Sequence, residues 1–224
     1  RKGLFVATKM GRRDPAIVRK TVEQSLERLQ VDKLDLVHFH ALQDEADLER
    51  IEQTGVLKEL WKCKDAGLTR FVGVSCHASP IALQKALERH DFDCTQMALN
   101  AGTSSFMSGR GMVPNPAVKE AFEETALPVA NRKKMGVIAM KVFAQDAMRG
   151  QSEATARNLL YYALTLPVTV ATVGYPEIQQ LEENVKLAQS FKPLAKAEMQ
   201  RISGALSSRN KQALLRHFER HVDA

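Results

Sequence analysis

Residues 4–40 read LFVATKMGRRDPAIVRKTVEQSLERLQVDKLDLVHFH, and this stretch decides the fold class. Leu4-Phe5-Val6-Ala7-Thr8 is a short apolar run of strand type, closed by Lys9-Met10-Gly11. Asp14-Pro15 then supplies an N-cap and a proline at the first helical position. The carboxylate accepts an orphan N–H there, and the N–H that proline lacks is not missed. Ile17, Val18, Val22, Leu26 and Leu29 keep helical spacing, and residues 34–39 return to a strand. A strand, a crossover helix and a second strand make a parallel pair. An open parallel sheet that holds a dinucleotide places GxGxxG directly after its first strand. The turn here is Lys9-Met10-Gly11-Arg12-Arg13, and the close glycine pair Gly109 and Gly111 falls in a loop instead. The reading therefore favours a (β/α)8 TIM barrel over a doubly wound sheet.

Outward from that unit the alternation continues. Strands are expected at 71–75, 94–98, 136–140 and 168–173. Helices are expected at 48–66, 79–89, 116–126, 152–164 and 176–190, with two more near 195–206 and 211–221. Gly67 reads as the residue that ends the helix before it. Six strands are counted where a barrel has eight, and the chain has 224 residues and opens on Arg1. A complete barrel of this type takes about 250 residues. We therefore expect an incomplete α/β barrel with six of its eight βα units, strands 3–8. It forms a single domain over 1–224, with 193–224 as a C-terminal helical extension and the N-terminal portion missing. Residues 100–115 are polar and glycine-bearing, a long loop of the kind that sits at the ligand-binding end of barrels.

The charge balance is +6, from 32 basic and 26 acidic residues. It is scattered over Arg12-Arg13, Arg132-Lys133-Lys134 and Arg209-Asn210-Lys211, each of which reads as solvated surface. A diffuse positive field suits an anionic small ligand, and no dense stripe or motif points to nucleic acid. Cys63, Cys76 and Cys94 are odd in number and show no metal or disulfide spacing, so a metal site is not expected and a reducing, cytoplasmic setting is. No run approaches ~18 apolar residues, so no membrane partner is expected.

The polar residues at the strand ends carry the chemistry. Phe5, Ala7 and Lys9 share one strand face, and Leu36, His38 and His40 share another. Lys9 and His40 thus reach one volume at the barrel mouth. Ser75 and Gln96 end the next two strands as groups able to hydrogen-bond an amide. Gly174 precedes a helix N-terminus, a place where backbone N–H groups accept phosphate.

These elements resemble the aldo-keto reductase family. The resemblance runs collinearly from Lys9 through Ser25-Leu26-Glu27-Arg28-Leu29-Gln30-Val31-Asp32-Lys33-Leu34-Asp35-Leu36, His40, Val72-Gly73-Val74-Ser75 and Gln96 to Gln180-Leu181-Glu182-Glu183-Asn184. It implies a barrel reductase that binds NADPH or NADH and reduces a small carbonyl substrate. Family catalysis uses an Asp, Tyr, Lys and His tetrad. Lys9 matches the lysine that lowers the tyrosine's pKa, and His40 matches the histidine that orients the carbonyl. The Asp and Tyr belong upstream of Lys9, and Tyr161, Tyr162 and Tyr175 are poor replacements.

Ser75 and Gln96 match the residues that hold the nicotinamide carboxamide, and Glu183 and Asn184 those that contact adenine. Met140 and Lys141 stand where many members have a stacking aromatic followed by serine. NADP is the family's preference, but Gly174 and Gln180 bring no positive charge to a 2′-phosphate. Ser75-Cys76-His77 is similar to a divergent bacterial branch, some of whose members carry a C-terminal iron–sulfur region; this chain has no cysteine after Cys94. We expect an oxidoreductase whose isolated chain has little activity. The alternatives are a non-catalytic cofactor-binding module and, third, a barrel aldolase using Lys9 as a Schiff-base nucleophile.

Overall fold

In the computed structural model, residues 3–103, 105–107, 113, 114, 118–144 and 153–218 are described. The Asp14 carboxylate accepts the Ala16 N–H at 2.9 Å, and one 3-10 turn leads from Pro15 into helix α1. The elements before it and after it alternate as expected. They are β1 (Ala7–Met10), α1 (Val18–Leu29), β2 (Leu34–Leu42), α2 (Glu45–Thr54), α3 (Val56–Asp65), β3 (Thr69–Cys76), α4 (Pro80–Arg89) and β4 (Cys94–Ala98). Next come a small hairpin of β5 (Phe106–Met107) and β6 (Val113–Pro114), α5 (Ala126–Arg132), β7 (Gly136–Met140), α6 (Ala156–Thr165), β8 (Val170–Ala171), α7 (Ile178–Gln189) and α8 (Lys196–Phe218).

Six strands form one parallel sheet in the order β1-β2-β3-β4-β7-β8. Chain order equals sheet order, as right-handed crossovers around a barrel require. The outer face is covered by helices and holds the core, including Met10, Val18, Val37, Phe39, Val72, Val74 and Met97. The starts of the strands line a cavity of about 750 Å³, with Phe5, Leu36, Phe71, Cys94, Ile138 and Val170 in its wall, at the end of the sheet opposite Lys9 and His40.

Three side chains at the starts of strands pin the register. Asp35 Oδ2 accepts the Val6 N–H at 2.8 Å, Asp93 Oδ2 accepts the Val72 N–H at 2.8 Å, and Thr169 Oγ1 accepts the Val137 N–H at 3.0 Å. Each satisfies a donor on the neighbouring, preceding strand. Arg70 and Lys64 neutralise the two carboxylates at 2.9 and 2.7 Å.

Several boundaries differ from the sequence reading. The expected helix 48–66 is two helices, because Gly55 takes a φ of +72° and turns the chain between them. The helix expected at 116–126 does not form in its described part. Pro128 would break a helix running through it but is tolerated in a first turn, so α5 starts at Ala126 instead. Residues 116 and 117 lie outside the described residues. So does residue 152, and α6 begins at Ala156, where the Thr155 hydroxyl caps the Asn158 N–H. The last strand shrinks to Val170–Ala171, held on one side by β7 alone. The two closing helices are one, α8; residues 219–221 lie outside the described residues. The long loop holds the β5–β6 hairpin, while residues 104, 108–112 (with Gly109 and Gly111) and 115 are outside the described residues. No described helix is long and apolar enough to cross a membrane.

Gly73 is required by packing. A Cβ there would lie 2.6 Å from His38 Cδ2 and 2.8 Å from the Cys94 carbonyl oxygen. Gly73→Ala is expected to destabilise by about 2 kcal/mol through overpacking against backbone that has no room to yield. Gly204→Ala, in α8 with open space around it, is expected to stabilise by about 0.5–1 kcal/mol. Urea unfolding of both variants checks the opposite signs.

Candidate active site

The strand register assembles the candidate site at the C-terminal ends of the parallel strands. Lys9 in β1 lies beside His38 in β2, Ser75 in β3 beside Gln96 in β4, and Ala98 in β4 beside Met140 in β7. His40 follows His38 by one pleat on the same strand. Lys9 and His40 are exposed on the inner face, while His38, Ser75, Gln96 and Met140 are buried.

Between His40 and Ser75 the ladder slips. Phe39 pairs with Val74, but the next pair is Leu42 with Cys76. One extra residue is thus accommodated, and Ala41 takes a φ of +55°. Such a bulge re-aims neighbouring side chains. Ser75 Oγ fills its gap by accepting the Ala41 N–H at 3.0 Å.

The electrostatics follow from burial and from the gathering of basic groups. Burial, then the charges of Lys9 and His40, push His38 down to about 4. Its Nε2 lies 3.7 Å from the Cys94 thiol. Burial, Lys9, His77 and Arg13 lower His40 in turn, and desolvation lowers Lys9. His40 is therefore a neutral imidazole near pH 7. Burial pushes the Cys76 and Cys94 thiols up to about 12, which leaves both protonated and unreactive.

The remaining expected residues lie farther along the chain. Lys141 follows β7 with a φ of +59°. Gly174 is exposed on the turn after β8, with a negative φ and open space where a Cβ would stand. Gln180, Glu183 and Asn184 occupy the first two turns of α7. Asn184 is buried and neither of its amide atoms finds a hydrogen-bond partner among the described residues, nor does the buried Gln180 Oε1.

Arg13, read from the sequence as part of a solvated cluster, is instead folded back under the mouth and ion-paired to buried Asp47. Nothing in a spacing of 34 residues signals that pairing; only the loop after β1 brings it about. Tyr161 and Tyr162 pack on α6, with hydroxyls 3.2 Å from Ser190 Oγ and 3.0 Å from the Glu123 carboxylate.

Residues 1–159 match the model of the aldo/keto reductase family. The chain belongs to that family. It carries six parallel βα units of an aldo-keto reductase barrel, an incomplete ring. An NADP(+) aldo-keto reductase of Schizosaccharomyces pombe is 35% identical in a match 94 residues long that covers 36% of this chain and 26% of that protein. L-galactose dehydrogenase of Arabidopsis thaliana is 36% identical in a match 81 residues long that covers 34% of this chain and 25% of that one. The matched segments span about a quarter of these relatives' length. The holo form of an aldo-keto reductase from Bacillus halodurans shares the fold, with a TM-score of 0.68 and 18% identity over 91% of this chain and 73% of that one.

His38 generates a pH prediction. Its folded pKa of about 4 lies below the ordinary 6.5, so the unfolded chain takes up the proton first as pH falls. The stabilisation held above pH 6.5 is expected to be lost between pH 6.5 and about 4, on the order of 3 kcal/mol. In His38→Asn the slope of stability against pH should flatten across that window, as measured by urea unfolding at stepped pH.

Proposed function

We propose that this chain supplies the lysine, the histidine and most of the cofactor site of an NAD(P)H-dependent reductase that converts an aldehyde or ketone to an alcohol. The observation that carries the reading is the orphaned amide pair on α7. A buried amide without partners costs about 1–3 kcal/mol. Asn184 has both polar atoms in that state, at a position the family resemblance assigns to adenine, whose edge offers a donor and acceptors. The residues therefore fit a nicotinamide dinucleotide. NADH and NADPH both suit them, since Gly174 and Gln180 bring no charge to a 2′-phosphate.

A bound reduced nicotinamide supplies the hydride. Ser75 spends an acceptor lone pair on the Ala41 N–H and keeps its hydroxyl proton to donate to a carboxamide oxygen. Gln96 stands beside it to take the amide N–H, and Met140 offers an apolar platform for the ring. Glu183 flanks the adenine with Asn184, and Lys141 closes the end of β7. Neutral His40 donates one N–H to the carbonyl oxygen and orients it. Lys9⁺ lowers the pKa of a neighbouring phenol, so that it gives its proton to the oxygen as the carbon accepts hydride. None of the described tyrosines stands in for that phenol. We infer that the isolated polypeptide binds cofactor but turns over slowly or not at all. Residues 193–224 are read as a helical extension of the one domain, and the buried, unpaired thiols suit a reducing, cytoplasmic setting.

Calorimetric titration with NADH and NADPH tests the reading. Binding is expected, weakened about tenfold in Asn184→Ala and little changed in Lys9→Met. Absence of binding to either nucleotide overturns it. Rapid NADPH oxidation with a reactive aldehyde overturns the expected inactivity. Trapping of a carbonyl compound on Lys9 by borohydride, without nucleotide binding, points to the Schiff-base aldolase instead. Binding without turnover, even after an Asp- and Tyr-bearing N-terminal segment is supplied, points to the non-catalytic module.

A further inference from the structure

Arg13 lies four residues after Lys9, in the loop that leaves β1. Its guanidinium has five N–H donors, and all five are engaged. Nη1 donates to the Gly11 carbonyl at 2.8 Å and the His40 carbonyl at 3.0 Å. Nη2 donates to the Ala41 carbonyl at 2.9 Å and to Asp47 Oδ2 at 2.8 Å, while Nε reaches Asp47 Oδ1 at 3.4 Å. The guanidinium also covers the Phe39 ring, 4.7 Å from its centroid.

The three captured carbonyls belong to two strand ends. Gly11 follows the end of β1 that carries Lys9, and His40 and Ala41 form the bulge in β2. The bulge needs such a clamp. Its extra residue leaves carbonyls outside the ladder, and Ala41 sits in the left-handed region, which costs a non-glycine residue about 1–2 kcal/mol. The other end of the clamp is firm. Asp47 is buried in the first turn of α2, where it also accepts the Gln43 N–H at 3.1 Å and pairs with Arg50. Burial by itself would raise Asp47; the hydrogen bonds from Arg13 and Arg50 overcome it and hold the carboxyl below its ordinary range.

We propose that Arg13 is a positioning residue: gripped by Asp47, it ties the ends of β1 and β2 together through the His40–Ala41 bulge and so sets the His40 imidazole against Lys9. The proposal rests on His40 belonging to the site described above. Lysine cannot take over this role. It is a point charge on a flexible stem and lacks a planar fork that reaches three carbonyls and a carboxylate at once.

The test is NMR of the imidazole and guanidinium signals in the full chain, with His40 assigned through His40→Gln. The charged and titratable groups facing His40 are Lys9, His77 and Arg13, with His38 one pleat below. His90, which pairs with Glu52, serves as the internal control. Arg13→Lys and Asp47→Asn keep a positive charge near the bulge but break the fork. Asp47→Asn, which also removes a negative charge, is expected to move the His40 ring signals without raising the titration midpoint, and Arg13→Lys is expected to move them and raise that midpoint toward 6.5, with His90 left in place in both. Arg13→Gln, which also removes charge, is expected to raise it further. A folded Arg13→Lys chain in which His40 titrates as in the parent, or a folded Asp47→Asn chain in which the His40 ring signals stay in place, overturns the proposal, since a purely structural arginine would lower only the unfolding midpoint.

A second measurement needs no variant. The Arg13 Nη protons are expected to give separate, slowly exchanging signals, and a freely rotating guanidinium overturns the clamp. Neither measurement requires cofactor or turnover. Failure of nucleotide binding therefore overturns the reductase reading alone, and an unmoved His40 overturns the clamp alone.

Discussion

The molecule depends on a repeated hydrogen bond between the start of one strand and the backbone of its neighbour. Asp35, Asp93 and Thr169 each accept an N–H from the preceding strand. A parallel sheet leaves such donors unpaired where the slanted ladder begins, and a buried unpaired N–H is costly. Because each acceptor sits at or just before the start of its own strand, satisfying the donor also fixes the register. A slip of one residue would turn every side chain to the opposite face. Lys9 and His40 come from one pinned pair of strands and Ser75 and Gln96 from another, while Thr169 holds β8 against β7, the strand that carries Met140.

The inner face then sets the chemistry of that end. His38 fills the space left by Gly73, touches the Cys94 thiol and stays neutral. Its neutrality has a simple origin. Burial disfavours the imidazolium, and Lys9 beside it in register adds repulsion. Burial, and then the same crowding of basic groups, lowers His40 as well. Where the ladder slips at Ala41, Ser75 and Arg13 take up the loosened backbone groups from opposite sides.

Much of this was legible in the residues themselves. The Asp14-Pro15 and Ser79-Pro80 starts, the strands 94–98 and 136–140, and the glycine ending α3 stand where local chemistry puts them. Lys9, His40, Ser75 and Gln96 stand on the strands where the reading put them, because strand position is a local property of the pattern. Other features were not legible. The break at Gly55 lies inside a continuous apolar helical pattern, and the late start of α5 turns on one proline. Arg13 looks like any surface arginine until the loop after β1 folds it onto Asp47.

The sequence by itself determined the alternating βα architecture, the barrel family and the identity of the polar groups at the strand ends, because periodicity, caps and strand-end position are local properties. Only the tertiary structure decided the bulge at Ala41, the neutrality of His38, the unpaired amide of Asn184 and the role of Arg13. Each of these depends on what a residue distant in the chain places, or fails to place, within hydrogen-bonding reach.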